Sequence, residues 1–126
     1  MTLSTAAALA GFIGVALGAF GAHALDGHLS IDGQNWWETA TLYLLVHVST
    51  TFAVGASEIG RLRMIGGWVM LGGALLFSAT LYAMALGAPR FLGAITPLGG
   101  LCLLIGWALV AISARHRKSP GQSQQS

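Results

Sequence analysis

Residues 11–25 read GFIGVALGAFGAHAL, a stretch with regularly spaced glycines, no charged side chain and a histidine, His23, near its end. Spacings of three, four and three residues place the glycines on one face of a helix. Lipid provides no hydrophobic force between helices, so helices in a membrane associate where small residues let their backbones approach. We therefore predict a membrane helix whose small-residue face packs within the bundle, contacts a second copy of the chain or lines a lipid groove. That face comprises Gly11, Gly14, Gly18 and Gly21.

Composition assigns the whole chain to a lipid environment. Of 126 residues, 55% are hydrophobic and 8% are charged, whereas soluble domains carry about 25% charged residues. The net charge of +2 comes without a basic stripe interleaved with aromatic residues, which argues against nucleic acid as a partner. The single cysteine, Cys102, can form no intramolecular disulfide and lacks the companions of a zinc site, so we expect it to be an apolar packing residue.

Charged residues divide the chain into four uncharged runs: 1–25, 39–57, 64–89 and 91–114. A membrane-spanning helix needs about 20 apolar residues, and a backbone in lipid must satisfy its own hydrogen bonds. We predict an all-α integral membrane four-helix bundle that forms one domain over residues 1–114, followed by a basic and then disordered tail, 115–126. The predicted helices cover about 4–25, 36–57, 64–87 and 92–114.

The ends of these helices carry local signals. No Lys or Arg precedes the first run, and its apolar part is longer than that of an ordinary signal peptide, so we expect it to be retained. Asn35 and Glu38 resemble a capping box at the start of the second helix. The fourth helix either begins near residue 91 and kinks at Pro97, or begins at Thr96 with the proline in its first turn.

The Lys and Arg residues predict the orientation. The connection 26–38 has neither, and Arg90 is the single basic residue between the third and fourth runs. The other five are Arg61, Arg63, Arg115, Arg117 and Lys118. Because cytoplasmic segments are enriched in Lys and Arg, both termini are expected in the cytoplasm. Tryptophans expected in the interfacial belts are Trp36 and Trp37 on the outer side, and Trp68 and Trp107 on the inner side.

His47 is the titratable side chain nearest to the middle of a predicted span, and such a residue is a functional hypothesis by default. Tyr43 and Thr51 lie one helical turn on either side and could reach the imidazole. Counting depth along the helices places Gly14 at the same level, where it would leave room for the ring. We predict a polar layer around His47 and Tyr43 that, by depth and helical phase, also contains Ser78, Thr80, Tyr82 and Thr96. This layer either fixes helix register through hydrogen bonds or handles a ligand or proton.

No cofactor or metal site is predicted. His23 and His47 differ in depth by roughly 13 Å at 1.5 Å per residue, which is too far for two axial ligands of one haem iron. His23 is expected as an interfacial cap or loop contact. His28 and His116 lie in aqueous segments and support no site.

Four segments together resemble the YgdD-like family of small four-helix membrane proteins, which includes the animal transmembrane protein 256 homologues and is catalogued as domain of unknown function 423. They are GVALGAFGAHAL (14–25), WWETATLYLLVH (36–47), LLFSATLYAMAL (75–86) and ITPLGGLCLLIGWAL (95–109). The stretch FSATLY departs from the FSGSLY common in the family but keeps its small and polar character. The resemblance implies a bacterial inner-membrane protein and carries over no activity. Its matched polar positions coincide with the predicted polar layer and add His23 and Thr39 to it as candidate functional residues. They are His23, Trp37, Thr39, Tyr43, His47, Ser78, Tyr82, Thr96 and Pro97.

The sequence contains no GxSxG, HExxH, Cys-x-x-Cys or phosphate-binding loop, so we expect a protein that is not an enzyme. The first hypothesis is an accessory or scaffold subunit, or a bundle acting on lipid, with the bilayer, a membrane protein or a second copy as partner. The alternatives are a small transporter or channel and a cofactor-binding membrane protein. A coupled transporter would rely on His47, because Asp and Glu lie outside the predicted spans.

Overall fold

The computed structural model describes residues 1–57 and 60–115 and contains four long α-helices. They are α1 (Leu3–His23), α2 (Ile31–Gly55), α3 (Arg61–Ala85) and α4 (Thr96–Arg115), with a short 3-10 helix at Arg90–Ala94 before α4. The all-helical class predicted from the sequence is confirmed. The predicted disorder of the tail concerns residues outside the described part, apart from Arg115 at the end of α4.

The start of α2 differs from the prediction, whereas the start of α4 agrees with one of the two predicted alternatives. α2 begins about one turn before residue 36, because Ser30 is its N-cap and its Oγ accepts a hydrogen bond from the Gly33 N–H at 3.0 Å. The capping box at Asn35 and Glu38 is therefore wrong, since both residues lie inside the helix. α4 begins at Thr96, after the 3-10 helix, so Pro97 sits in the first turn, where its missing N–H breaks no helical hydrogen bond.

Three segments are long and apolar enough to cross a membrane: Leu3–His23, Arg61–Ala85 and Arg90–Arg115. α2 has 25 residues but is not among them, because hydroxyl side chains and His47 lower its hydropathy. It nevertheless runs along the whole of α1. A Cβ on Gly55, at the end of α2, would lie 2.6 Å from the Ser4 nitrogen, and Trp37 near its start contacts Gly21. α2 therefore covers the same thickness as α1.

The helices pack in chain order, as an open row. α1 packs on α2, α2 on α3 and α3 on α4, and α1 also reaches α3 at places such as Leu3 against Gly67. Within the described residues, α1 and α4 do not pack on each other. The centre of the core lies between α2 and α3, where Ala40, Met70 and Ala74 are fully buried. Because the row is not closed, a groove runs between α2 and α4 along one face of α3.

Candidate functional site

The glycine face of α1 lies against α2 of the same chain. A Cβ on Gly14 would lie 3.0 Å from the Leu45 Cδ2, and one on Gly18 would lie 3.0 Å from the Thr41 Cγ2. At Gly11 the neighbour is the Val48 Cγ2 at 3.6 Å, and at Gly21 a Cβ would overlap the Trp37 indole nitrogen. Side chains of α2 therefore pack on this face, where Gly14 is buried and the other three glycines are half-buried.

Trp37 anchors the α1–α2 contact. Its Nε1–H donates a hydrogen bond to the Leu17 carbonyl oxygen at 2.9 Å, and its ring meets Tyr82 edge-on with 4.5 Å between centroids. The side chain is buried. The missing side chain of Gly21 opens a notch that takes the indole ring, so Trp37 packs within the bundle.

The α3–α4 contact also depends on glycine, but on both helices. A Cβ on Gly99 would lie 2.6 Å from the Phe77 backbone nitrogen, and one on Gly73 would lie 2.9 Å from the Gly99 carbonyl oxygen. Two turns further along α4, a Cβ on Gly106 would lie 3.0 Å from the Gly66 carbonyl oxygen. The two backbones thus approach each other directly at glycines seven residues apart on each helix.

The predicted polar layer divides into three separate clusters, of which the first joins α2 to α3. Thr41 Oγ1 donates to the Trp37 carbonyl oxygen at 2.9 Å, so the Tyr82 hydroxyl, 2.8 Å from Thr41 Oγ1, is the donor of that second bond. Ser78 Oγ donates to the Ala40 carbonyl oxygen at 2.9 Å. These bonds cross between two antiparallel helices and fix their register.

The second cluster joins α3 to the start of α4. Thr80 Oγ1 and Thr96 Oγ1 are 2.8 Å apart and buried. The Thr96 hydroxyl also lies 3.2 Å from the Leu92 carbonyl oxygen, which links the 3-10 helix to α4. Two other predicted members, His23 and Thr39, are exposed and belong to none of the three clusters.

The third cluster contains His47, which is 8% exposed. Its Nδ1 lies 2.7 Å from the Tyr43 carbonyl oxygen. A carbonyl oxygen only accepts, so Nδ1 carries the proton and Nε2 of the neutral ring keeps a lone pair. Among the described residues, no group forms a hydrogen bond with Nε2.

Four aromatic rings form a continuous line through this cluster, which we call the aromatic row. Phe77 of α3 stacks on Tyr43 of α2 at 4.6 Å between centroids, and Tyr43 stacks on His47 at 5.8 Å. His47 then meets Trp107 of α4 edge-on at 6.3 Å. The row thus connects three helices and links α2 to α4, whose backbones do not pack together in the described part of the chain.

The aromatic row lines the groove between α2 and α4, which we call the α2–α4 groove and whose volume is about 580 Å³. Its α4 side is formed by Pro97, Gly100, Leu101 and Leu104. Tyr43, Leu101 and Leu104 are 40%, 54% and 68% exposed, so the groove opens sideways rather than along the bundle axis. The arrangement is suited to holding an apolar molecule from the bilayer beside one imidazole nitrogen.

Two expectations about His47 are wrong. Gly14 does not make room for the imidazole, because it faces Leu44 and Leu45 while His47 faces α3 and α4. Thr51 does not bond to the ring, and its fully buried Oγ1 has no hydrogen-bond partner in the described residues. Residues at the same depth can point toward different helices, because depth along a helix axis does not specify the direction of a side chain.

Sequence reasoning missed several residues. Thr41 is absent from the predicted layer although it bonds to Tyr82, and Phe77 and Trp107 were not placed beside His47. A signal existed on α4, where Gly100, Leu104 and Trp107 recur at spacings of four and three. The seven-residue repeat of glycines on α3 and α4 was a second signal.

Comparisons with known proteins agree with a membrane protein. The family described as "Protein of unknown function (DUF423)" matches residues 17–100. A UPF0382 membrane protein of Staphylococcus epidermidis is 40% identical over 108 residues, 84% of this chain and 88% of the relative. The UPF0382 membrane protein YwdK of Bacillus subtilis is 38% identical over 85% and 90% of the two chains. The UPF0382 inner membrane protein YgdD of Escherichia coli is 38% identical over 94% and 93%. No solved structure matches significantly.

Proposed function

The chain belongs to the DUF423 family of membrane proteins, as its motifs indicated, and from that premise we propose that it is a non-enzymatic protein that holds a lipid-soluble molecule in the α2–α4 groove. One observation carries the proposal: His47 is 8% exposed, it lines an apolar groove, and its Nε2 has no hydrogen-bond partner among the described residues. The bilayer is then both its environment and the source of its ligand.

The energetic reason is the cost of leaving a hydrogen-bond acceptor in apolar surroundings without a donor. A polar group buried without a hydrogen bond destabilises a protein by about 1–3 kcal/mol. Acyl chains that entered the groove would leave Nε2 in that condition. A molecule with both an apolar body and one polar atom would fill the groove and satisfy the nitrogen, which favours a specific occupant over bulk lipid.

The absence of catalysis is part of the proposal. Acid–base chemistry needs a second titratable group placed against the same substrate atom. Among the described residues that line the groove, Tyr43 and His47 are the titratable groups, and the Tyr43 ring stacks on the imidazole instead of facing it across the groove. This composition supports binding. A partner protein or second copy would meet outward faces such as that of Phe12 and Val15, because α2 covers the glycine face of α1.

We further propose four spans in the inner membrane of a bacterium, with both termini in the cytoplasm. Support comes from the location of charge: Arg61 begins α3 and Arg115 ends α4, at the end of the row where Leu3 of α1 contacts α3. Positively charged segments favour the cytoplasmic side. Alkaline phosphatase fused to residue 126 should be inactive, while a fusion in the 24–30 connection should be active; the reverse pattern would overturn this orientation.

The binding proposal is tested by filling the groove. Gly100 lines it, and a Cβ there meets no atom within 4 Å, so Gly100→Leu adds bulk to the groove without a clash at its first atom. Gly72 of α3 is an equally open glycine that does not line the groove, which makes Gly72→Leu the matched control. All three proteins would be extracted gently from their own membrane and analysed by native mass spectrometry.

We expect a small molecule to remain bound to the original protein and to Gly72→Leu, and to be lost from Gly100→Leu. Retention by all three proteins would show that the molecule sits elsewhere and would overturn the proposal. So would a protein that carries no small molecule at all but copurifies with a stoichiometric protein partner, because that result favours a scaffold.

A further inference from the structure

We propose that the molecule held in the α2–α4 groove is a lipid-soluble phenol, whose hydroxyl donates a hydrogen bond to Nε2 of His47. The inference rests on the proposed function, because it names the chemical class that the same groove takes. Three features of the groove support it: the proton position on the imidazole, the flat aromatic row and the sideways opening.

The proton position selects a donor. Tyr43 is one turn before His47 on α2, and its carbonyl oxygen, 2.7 Å from Nδ1, holds the ring proton on that nitrogen. Nε2 of the neutral ring is therefore an acceptor. An ester or ketone oxygen placed at Nε2 would set one lone pair against another, whereas a hydroxyl group would form a hydrogen bond. The imidazole thus discriminates between molecules that differ in a single O–H.

The aromatic row selects a ring. Trp107 meets His47 edge-on at 6.3 Å on one side, and Tyr43 lies at 5.8 Å on the other. Aromatic rings interact best with one another in offset or edge-to-face arrangements with centroids 4.5–7 Å apart. A ligand ring beside Tyr43 and Trp107 can adopt such contacts while its hydroxyl reaches Nε2. A flexible aliphatic alcohol would form the hydrogen bond but would make weaker contacts with the aromatic row.

The opening of the groove selects an apolar tail. Leu101 and Leu104 on its α4 side are exposed, and their surroundings in a membrane are acyl chains. A hydrocarbon substituent on the ring can leave the groove past these leucines and remain in the bilayer. The preferred ligand is therefore a phenol with a long alkyl chain, which reaches the site by lateral diffusion.

The test uses two compounds that differ in the donor alone, 4-decylphenol and 4-decylanisole. Radiolabelled forms are bound to the full-length protein in phosphatidylcholine nanodiscs, and binding to empty nanodiscs is subtracted. We expect the phenol to bind about tenfold more tightly than the anisole, the size of one net hydrogen bond. His47→Phe keeps a flat ring but lacks the acceptor, so it should bind both compounds equally. His47→Gln keeps a side-chain acceptor and should retain part of the preference.

The outcomes separate the two proposals. Equal binding of both compounds to the original protein, with loss of both in Gly100→Leu, would overturn the phenol inference and leave the groove as a binding site. Binding that Gly100→Leu does not weaken would overturn the proposed function as well. If neither compound binds while native mass spectrometry shows another retained molecule, only the phenol inference fails. Should His47→Phe not fold, the affinity ratio in the original protein still decides.

Discussion

The α1–α2 and α3–α4 contacts both depend on glycine, but in different ways. On α1 the glycines are notches that receive side chains of α2, such as Thr41 opposite Gly18 and Trp37 opposite Gly21. Between α3 and α4 both helices contribute glycines, and backbone meets backbone, as where Gly99 faces the Phe77 nitrogen. The side chains opposite the α1 glycines can adjust to an added methyl group, whereas the backbones of α3 and α4 cannot without moving a helix.

The difference also explains why a groove exists. α4 is held by its close approach to a single helix, α3, and its opposite side remains free to face α2 across the aromatic row. Had α4 been held by long side chains on several helices, Gly100 and Leu104 would be covered. The structural role of a glycine on a membrane helix therefore depends on whether side-chain or backbone atoms pack opposite it.

The largest effect is expected for Gly99→Ala. The new Cβ would lie 2.6 Å from the Phe77 nitrogen and 2.9 Å from the Gly73 oxygen, both backbone atoms. Overpacking of this kind destabilises proteins by about 3 kcal/mol at the upper end of the usual range. Gly100→Ala on the same helix is the control and should be neutral or slightly stabilising, because its Cβ meets nothing within 4 Å. Unfolding in mixed micelles of increasing SDS content measures the stability of both variants. Equal unfolding midpoints would contradict the claim that α3 and α4 meet through their backbones at Gly99.

The next largest effect is expected for Gly21→Ala. Its Cβ would overlap the Trp37 indole, so the ring must withdraw and lose the hydrogen bond to the Leu17 oxygen. We expect a loss of about 2 kcal/mol from overpacking and the broken bond together. Combining it with Trp37→Leu should cost clearly less than the sum of the two single changes. Strict additivity in this double-mutant cycle would show that the notch and the ring are not coupled.

A smaller effect is expected for Gly18→Ala. Its Cβ would lie 3.0 Å from the Thr41 Cγ2, a methyl group at the end of a side chain. The gain in helix propensity, up to about 1 kcal/mol, offsets part of the crowding, so the net loss should be under about 1 kcal/mol. Gly11→Ala, with its nearest neighbour at 3.6 Å, should be neutral or stabilising by the same assay. A loss at Gly18 as large as that at Gly99 would contradict the side-chain account.

The smallest effect is expected for Tyr82→Phe. It removes the hydroxyl that bonds to Thr41 Oγ1 but keeps the ring against Trp37. Hydrogen bonds between membrane helices contribute about 0.6 kcal/mol on average, and we expect a loss of that size. Thr41→Val should not add further to Tyr82→Phe if the two hydroxyls interact mainly with each other. A loss above that of Gly21→Ala would mean that polar bonds, not glycine notches, dominate this part of the bundle.

The sequence predicted the four helices because charges separate the long uncharged runs, but it placed the start of α2 near residue 36, since Ser30 was not recognised as the N-cap. It also placed Gly14 and Gly18 on one face, since helical phase within one helix follows from spacing. It did not predict that side chains of α2 pack on that face. His47 and Gly14 share a depth yet face different helices, because depth carries no information on the order in which helices pack. The same limit merged three polar clusters into one layer.

The most direct test of the site is the proton position on His47. Nitrogen-15 NMR of the histidine-labelled protein in nanodiscs distinguishes a protonated from an unprotonated ring nitrogen, and loss of the signal in His47→Gln assigns it. The hydrogen bond from Nδ1 to the Tyr43 oxygen predicts a proton on Nδ1 and a lone pair on Nε2. A neutral ring with its proton on Nε2 would contradict the account, because the groove would then present a donor and select the opposite class of ligand.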